Sequence, residues 1–98
     1  MSKKAYWISI YNDVLDSDKL AAYAALAGPA LTAAGGRILA RVMPATLYEH
    51  GQMQRTVLIE FDSVEAANAA YKSAGYAEAL AALDEGVVRE VRIIEAAD

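Results

Sequence analysis

Apolar residues recur along the chain with two alternating periods, the two-residue period of a β-strand and the roughly 3.6-residue period of a helix. The strand period predicts strands over residues 4–12, 37–43, 55–62 and 88–95, and residues 46–49 are a candidate for a further short strand. The helical period predicts a first helix capped by Asp16 or Ser17, a second capped by Ser63, and a short third helix beginning near Tyr76. The hydrophobic period therefore switches between that of a strand and that of a helix in a regular order.

Glycine and proline residues mark the ends of the predicted helices. Gly28-Pro29 lies inside the first helix, and an interior proline costs about 3 kcal/mol, so a kink or a restart is expected there. Gly35-Gly36 is expected to end that helix, and Gly75 to separate the second helix from the third.

The order strand, helix, strand, strand, helix, strand is that of the ferredoxin-like α+β fold, βαββαβ, with a four-stranded antiparallel sheet and its helices on one face. A chain of 98 residues has room for one such domain, here residues 1–98.

Strand alternation divides the apolar residues between the two faces of this sheet. Tyr6, Ile8, Ile10, Ile38, Ala40, Val42, Val57, Ile59, Phe61, Val91 and Ile93 are predicted to face the helices. The other face would hold Trp7, Ser9, Tyr11, Leu39, Arg41, Thr56, Leu58, Glu60, Glu90, Arg92 and Ile94. Because that second face is half apolar, a second copy is expected to cover it, sheet against sheet.

This predicted homodimer interface would centre on Trp7, Arg41, Leu58 and Glu60. Arg41 and Glu60 fall on neighbouring strands and are the expected buried ion pair, which would fix the geometry of the dimer more than it would stabilise it.

Charge and composition narrow the range of partners. Thirteen acidic and nine basic residues give a net charge of −4, which predicts no binding to nucleic acid. One histidine and no cysteine give little support for a metal, and no cofactor is expected. The first residues do not resemble a signal peptide, and no apolar run approaches the ~18 residues of a membrane span, so a cytoplasmic protein without a membrane partner is predicted.

A ligand site is predicted near the joint between the second and third helices. Tyr71 and Tyr76 flank this joint, and Arg55, Tyr6 and Tyr23 are expected to face the same gap, where they would suit a small anionic or phenolic ligand. The alternative is that the tyrosines fill a core and the arginine reaches solvent or pairs with an acid.

His50 is a weak catalytic candidate. It is the one side chain that titrates near neutral pH without a large perturbation. It lies in a predicted hairpin loop without a matching nucleophile, which favours an exposed loop histidine.

Four segments carry a resemblance to a known family: AYWISIYN, AAGGRILAR, RTVLIEF followed by Asp62-Ser63, and YKSAGY. In this order and spacing they resemble the short bacterial family called domain of unknown function 1330. The resemblance implies a dimeric α/β barrel made from two ferredoxin-like sheets, within a superfamily that includes cofactor-independent monooxygenases, lactone isomerases and haem-handling enzymes. Two motifs depart from the family: Ser73-Ala74-Gly75-Tyr76 replaces a usual S-P-E-Y, and Val42-Met43 replaces a glycine pair.

Two functions fit these observations, and the sequence leaves open whether the protein is an enzyme. The first is a dimer that binds a small molecule or serves a structural role. The alternative is a cofactor-independent enzyme, a monooxygenase or an isomerase, acting on a phenolic or carboxylate metabolite. An open cavity of about 300 Å³ that contains Arg55 and a tyrosine hydroxyl would favour a ligand site.

Overall fold

The protein forms one antiparallel sheet that carries its helices on one face. The computed structural model describes residues 3–98. Its elements are β1 (Ala5–Val14), α1 (Ser17–Ala33), β2 (Arg37–Val42), β3 (Thr56–Phe61), α2 (Val64–Tyr71), α3 (Ala74–Leu83) and β4 (Val87–Glu95). The strands lie in the order β2-β3-β1-β4, and every neighbouring pair is antiparallel. The predicted ferredoxin-like topology is confirmed.

Side chains that precede the helices determine where they begin. The Asp16 carboxylate accepts hydrogen bonds from the backbone N–H groups of Asp18 and Lys19 at 3.0 and 3.1 Å. Ser63 caps α2 in the same way, and Ser73 caps α3. The boundary between these two helices therefore falls at Ser73, and the prediction that Gly75 separates them is wrong, because Gly75 lies in the first turn of α3.

Two other local predictions also differ from the structure. α1 continues through Pro29 without a restart. The carbonyl that loses its helical partner there belongs to Ala25, which is exposed, so water can replace the missing bond. Residues 46–49 form no strand and belong to a loop over residues 43–55.

The face of β1 that packs against the helices is the opposite of the predicted one. Trp7, Ser9 and Tyr11 are buried beneath the helices, and Trp7 is only 1% exposed. Tyr6 and Ile8 lie half-buried on the open face of the sheet, the face without helices. The prediction that Trp7 belongs to the open face is wrong. Apart from Ser9 both sets of residues are apolar or aromatic, so alternation alone did not show which set is covered.

A β-bulge at Leu39 changes the faces within β2. Ile38 pairs with Ile59, but the next paired residue, Ala40, is opposite Leu58. The extra residue turns Ala40 to the open face and Arg41 to the helix side, opposite Val57.

The predicted ion pair between Arg41 and Glu60 is therefore wrong. Glu60 accepts a hydrogen bond of 2.8 Å from Nε of Arg37, the residue opposite it in the sheet. Leu58 and Glu60 do lie on the open face, as predicted.

Gly36 lies at a point of close packing between the end of α1 and the sheet. A Cβ atom at this position would lie 2.8 Å from Cζ of Phe61 and 2.9 Å from the carbonyl oxygen of Leu31. We expect Gly36→Ala to lower the free energy of unfolding by about 1–3 kcal/mol, because the core would have to shift. Urea unfolding measures the change.

Gly75→Ala is the matched control, since the nearest atom to its new Cβ is the Cβ of Ala30 at 3.3 Å. Its expected effect is below about 1 kcal/mol, because alanine is also the better helix former. Equal stability of Gly36→Ala and the parent would contradict the close packing of Gly36 against Phe61 and Leu31.

Candidate functional site

A cavity of about 290 Å³ lies between α1 and the strands β1, β3 and β2. Small residues of α1, Ala21, Ala24, Ala27 and Gly28, border it and leave the space unfilled. Its other apolar walls come from side chains such as Trp7, Leu31, Val57 and Ile59. The alanine-rich sequence of α1 is thus the local reason for a cavity at this place.

Two exposed arginines border the cavity. Arg41 and Arg55 both line it and are both exposed. The backbone of Arg55 is fixed, because its carbonyl accepts a 3.0 Å hydrogen bond from the N–H of Tyr11. Within residues 3–98, neither guanidinium has an acidic side chain at ion-pair distance. Two positively charged residues without an acidic partner in the described part of the chain therefore border the cavity.

A third arginine, Arg89 on β4, does not border the cavity but contacts tyrosines near it. The guanidinium of Arg89 donates to three phenol oxygens: Tyr76 at 2.8 Å, Tyr23 at 3.0 Å and Tyr11 at 3.3 Å. The hydroxyl oxygens of Tyr23 and Tyr76 are 2.6 Å apart and form a further hydrogen bond. We call these four residues the Arg89 cluster. Tyr11 and Tyr23 line the cavity, whereas Tyr76 and Arg89 do not.

The three phenols of the Arg89 cluster are neutral at physiological pH. Burial is the main cause that raises the pKa of Tyr11, Tyr23 and Tyr76 above the usual value, and the nearby guanidinium offsets only part of that effect. Each hydroxyl therefore keeps its hydrogen and can donate it.

Sequence reasoning did not identify Arg89 as a site residue. The signal was present, because strand alternation places Arg89 on the same face as Val91 and Ile93, which were predicted to face the helices. An arginine on an otherwise apolar strand face suggests that polar partners lie opposite it.

The structure brings only part of the predicted ligand site to the cavity. Arg55 and Tyr23 line it, together with Arg41, which had been assigned to the dimer interface. Tyr6 lies on the open face of the sheet, opposite Ile94. His50 is exposed in the loop over residues 43–55 and does not line the cavity.

The two tyrosines at the helix joint pack against the core instead of enclosing a gap. The ring of Tyr76 lies 5.3 Å from that of Tyr71 and 5.3 Å from that of Trp7, measured between centroids. Tyr76 is fully buried, and Tyr71 is 40% exposed. The indole of Trp7 fills the gap that was predicted between Tyr71 and Tyr76, because the face of β1 that carries Trp7 packs against the helices.

Among the described residues, no three histidine or acidic side chains are grouped so that they could hold a metal ion. None of the helices in the part of the chain from residue 3 onward is both long and apolar enough to cross a membrane.

The topology defines a ferredoxin-like α+β fold, which several solved structures share. A protein of unknown function from Rhodopseudomonas palustris has a TM-score of 0.78 at 14% identity, with 100% of this chain and 85% of that chain covered. SnoaB, a cofactor-independent oxygenase from Streptomyces nogalater, has a TM-score of 0.69 at 11% identity, with 99% and 96% covered. A dimeric protein of unknown function from Bacteroides fragilis has a TM-score of 0.56 at 15% identity, with 94% and 95% covered. The chain belongs to the family Domain of unknown function (DUF1330), whose model matches residues 4–97.

The family assignment confirms the resemblance seen in the sequence. A search among curated proteins gives no match. Because the similar structures share at most 15% identity with this chain, they establish its fold and carry no reaction over to it.

Proposed function

We propose that the protein binds a small, flat organic carboxylate in the cavity beneath α1. The observation that carries this proposal is a pair of arginines, Arg41 and Arg55, that border an otherwise largely apolar cavity and have no acidic partner within residues 3–98. A guanidinium presents a planar fork of donors that matches a carboxylate, and the apolar walls favour a ring.

The volume limits the size of this ligand. Ligand cavities are commonly about 300–1,000 Å³, so a cavity of 290 Å³ is at the small end and suits a molecule with about one ring. Tyr11 and Tyr23 add the few polar groups that fix a ligand's orientation in such sites.

Binding is favoured over the alternative of a cofactor-independent enzyme by the composition of the cavity wall. The described residues that line it include no carboxylate and no imidazole. Its tyrosines are held neutral by burial, so they are poor bases at neutral pH.

We also propose that the protein is a homodimer that pairs the open faces of two sheets. Tyr6, Ile8, Ile10 and Leu58 are half-buried apolar residues on this face, and Ile94 is 49% exposed there. A surface of this kind favours an apolar partner, and the similar structure from Bacteroides fragilis is described as dimeric. Leu58 and Glu60 belong to the proposed interface, whereas Trp7 and Arg41 do not.

Benzoate and 4-hydroxybenzoate should raise the melting temperature of the protein in a thermal-shift assay, because a ligand that binds the folded state stabilises it. We expect Arg55→Ala and Arg41→Ala each to weaken benzoate binding by about tenfold or more, since each removes a charge-assisted hydrogen bond. Titration calorimetry with benzoate measures the affinities.

Lys72→Ala is the matched control, because Lys72 is an exposed cation that does not line the cavity. Benzyl alcohol tests the need for a negative charge and should not bind. Equal benzoate affinity in the parent, Arg41→Ala and Arg55→Ala would refute the proposed site.

A further inference from the structure

The Arg89 cluster separates a cation from the cavity by a layer of phenols. Arg89 does not reach the cavity wall, but the Tyr11 and Tyr23 hydroxyl oxygens that accept its hydrogen bonds belong to side chains that do. A guanidinium can only donate hydrogen bonds, whereas a phenol hydroxyl has one hydrogen to donate and two lone pairs to accept with. Arg89 therefore occupies a lone pair on each of these two oxygens and leaves their hydrogens free.

The hydrogen bond between Tyr23 and Tyr76 has only one direction that satisfies both hydroxyl groups. Within residues 3–98, the hydroxyl of Tyr76 has two partners, Arg89 and Tyr23, and Arg89 cannot accept. Tyr76 is fully buried, so its hydrogen must be donated to Tyr23 or left without an acceptor. Tyr76 therefore donates to Tyr23, and the hydrogen of Tyr23, a residue that lines the cavity, has no acceptor among the described residues.

The charge of Arg89 also has no compensating carboxylate, because none lies at ion-pair distance from it within residues 3–98. Its contacts are phenol oxygens and the faces of two rings. The Cζ atom of Arg89 lies 4.8 Å from the ring centroid of Tyr23 and 5.7 Å from that of Tyr11. A partly buried cation without a counter-charge favours an anion nearby. Tyr11 and Tyr23 both line the cavity, so an anion bound there would lie beside these two side chains.

We propose that Tyr11 and Tyr23, oriented by Arg89 and Tyr76, form a pair of hydrogen-bond donors that binds an anionic oxygen of the ligand. This inference rests on the proposed carboxylate site. It narrows the ligand class to carboxylates that also carry a phenol or enol group. The ligand is bound with that group ionised, as a phenolate or an enolate. The carboxylate would contact Arg41 and Arg55, and the second oxygen would contact the phenol pair. Donors fixed in a water-poor site stabilise such an oxyanion without reorganising.

Arg89 and Tyr76 are positioning residues in this arrangement, since they act through the two phenols. The alternative is a structural role, in which the three tyrosines only supply hydrogen-bond acceptors for the partly buried Arg89. These two roles differ in one measurable property. A pair of donors aimed at the cavity lowers the pKa of a phenol bound there, and a purely structural cluster does not.

The probe for this test is 5-hydroxy-2-nitrobenzoate, whose phenolate absorbs visible light, and 2-nitrobenzoate is its partner without the phenol oxygen. Spectroscopic pH titration gives the pKa of the probe's phenol when free and when bound. We expect the bound value to be lower by about one unit or more, which corresponds to a preference of about tenfold or more for the phenolate over the phenol.

Tyr23→Phe removes one donor and keeps the ring. We expect this variant to lose most of the shift in the probe's pKa. At a pH where the probe's phenol is ionised, it should bind 5-hydroxy-2-nitrobenzoate about tenfold more weakly than the parent does. Its affinity for 2-nitrobenzoate should change by less than about threefold. Tyr11→Phe should act in the same direction. Tyr71→Phe is the matched control, because Tyr71 lies outside the Arg89 cluster and does not line the cavity.

The possible outcomes separate the two proposals. If both probes bind in an Arg55-dependent way but the bound phenol has the pKa of the free one, the phenol pair is refuted and the carboxylate site stands. A pKa shift that persists unchanged in both Tyr23→Phe and Tyr11→Phe also overturns this inference. If neither probe binds the parent protein, the carboxylate site and the phenol pair both fail. Circular dichroism melts of each variant confirm that the fold is retained.

Discussion

Replacing Trp7 by alanine should lower the free energy of unfolding by about 3–5 kcal/mol. Trp7 is among the largest fully buried side chains and packs its ring against those of Phe61, Tyr71 and Tyr76, at centroid distances of 6.2, 5.5 and 5.3 Å. Its loss would leave a cavity in the middle of the core. It would also remove the 2.8 Å hydrogen bond that the indole Nε1 donates to the buried hydroxyl of Ser9. Such a loss is a large share of the 5–15 kcal/mol that stabilises a typical domain.

Urea unfolding followed by circular dichroism measures this change, and the measurement at several protein concentrations separates it from any effect on association. Leu26→Ala is the control, because Leu26 is an apolar residue of α1 that is 42% exposed and does not line the cavity. We expect it to change the stability by about 0.5 kcal/mol or less. A Trp7→Ala variant that is as stable as the parent but no longer dimerises would contradict this result. It would support the sequence-based prediction that Trp7 lies on the open face of the sheet.

Leu58→Arg should convert the proposed homodimer into a folded monomer. Leu58 lies on β3 between Ile8 of β1 and Ala40 of β2, near the middle of the open face. Two copies paired by a twofold axis would bring two such arginines into an apolar interface, where an unpaired charge is strongly unfavourable. Sedimentation equilibrium should give twice the chain mass of 10.5 kDa for the parent and the chain mass for the variant.

Leu26→Arg is the matched control, since it places the same charge on the exposed surface of α1 and should leave the dimer intact. The carboxylate site can be followed in the same samples. Because the cavity lies on the helix side of the sheet, monomeric Leu58→Arg should still bind benzoate. A parent protein that sediments as a monomer at micromolar concentration would refute the proposed dimer and leave the cavity proposal unaffected.

The sequence by itself determined the order of the elements and most of their ends. Asp16 or Ser17 was predicted to cap α1 and Ser63 to cap α2, and the side chains of Asp16 and Ser63 accept backbone hydrogen bonds there. Gly35-Gly36 was predicted to end α1, and Gly35 has a φ of 96°, which glycine adopts without strain. These features depend on hydrogen bonds and backbone angles within a few residues, so the local sequence specifies them.

The tertiary structure decided which face of each strand is covered and therefore which residues form the site. Alternation shows that Trp7 and Tyr11 share a face, but both faces of β1 are apolar, and only packing against the helices decides between them. The bulge at Leu39 adds one residue and moves Arg41 from the open face to the cavity. The Arg89 cluster joins residues from β1, α1, α3 and β4 whose distances along the chain carry no signal of contact. Local interactions fix the elements, whereas the cavity depends on side chains that meet only when the sheet and the helices pack together.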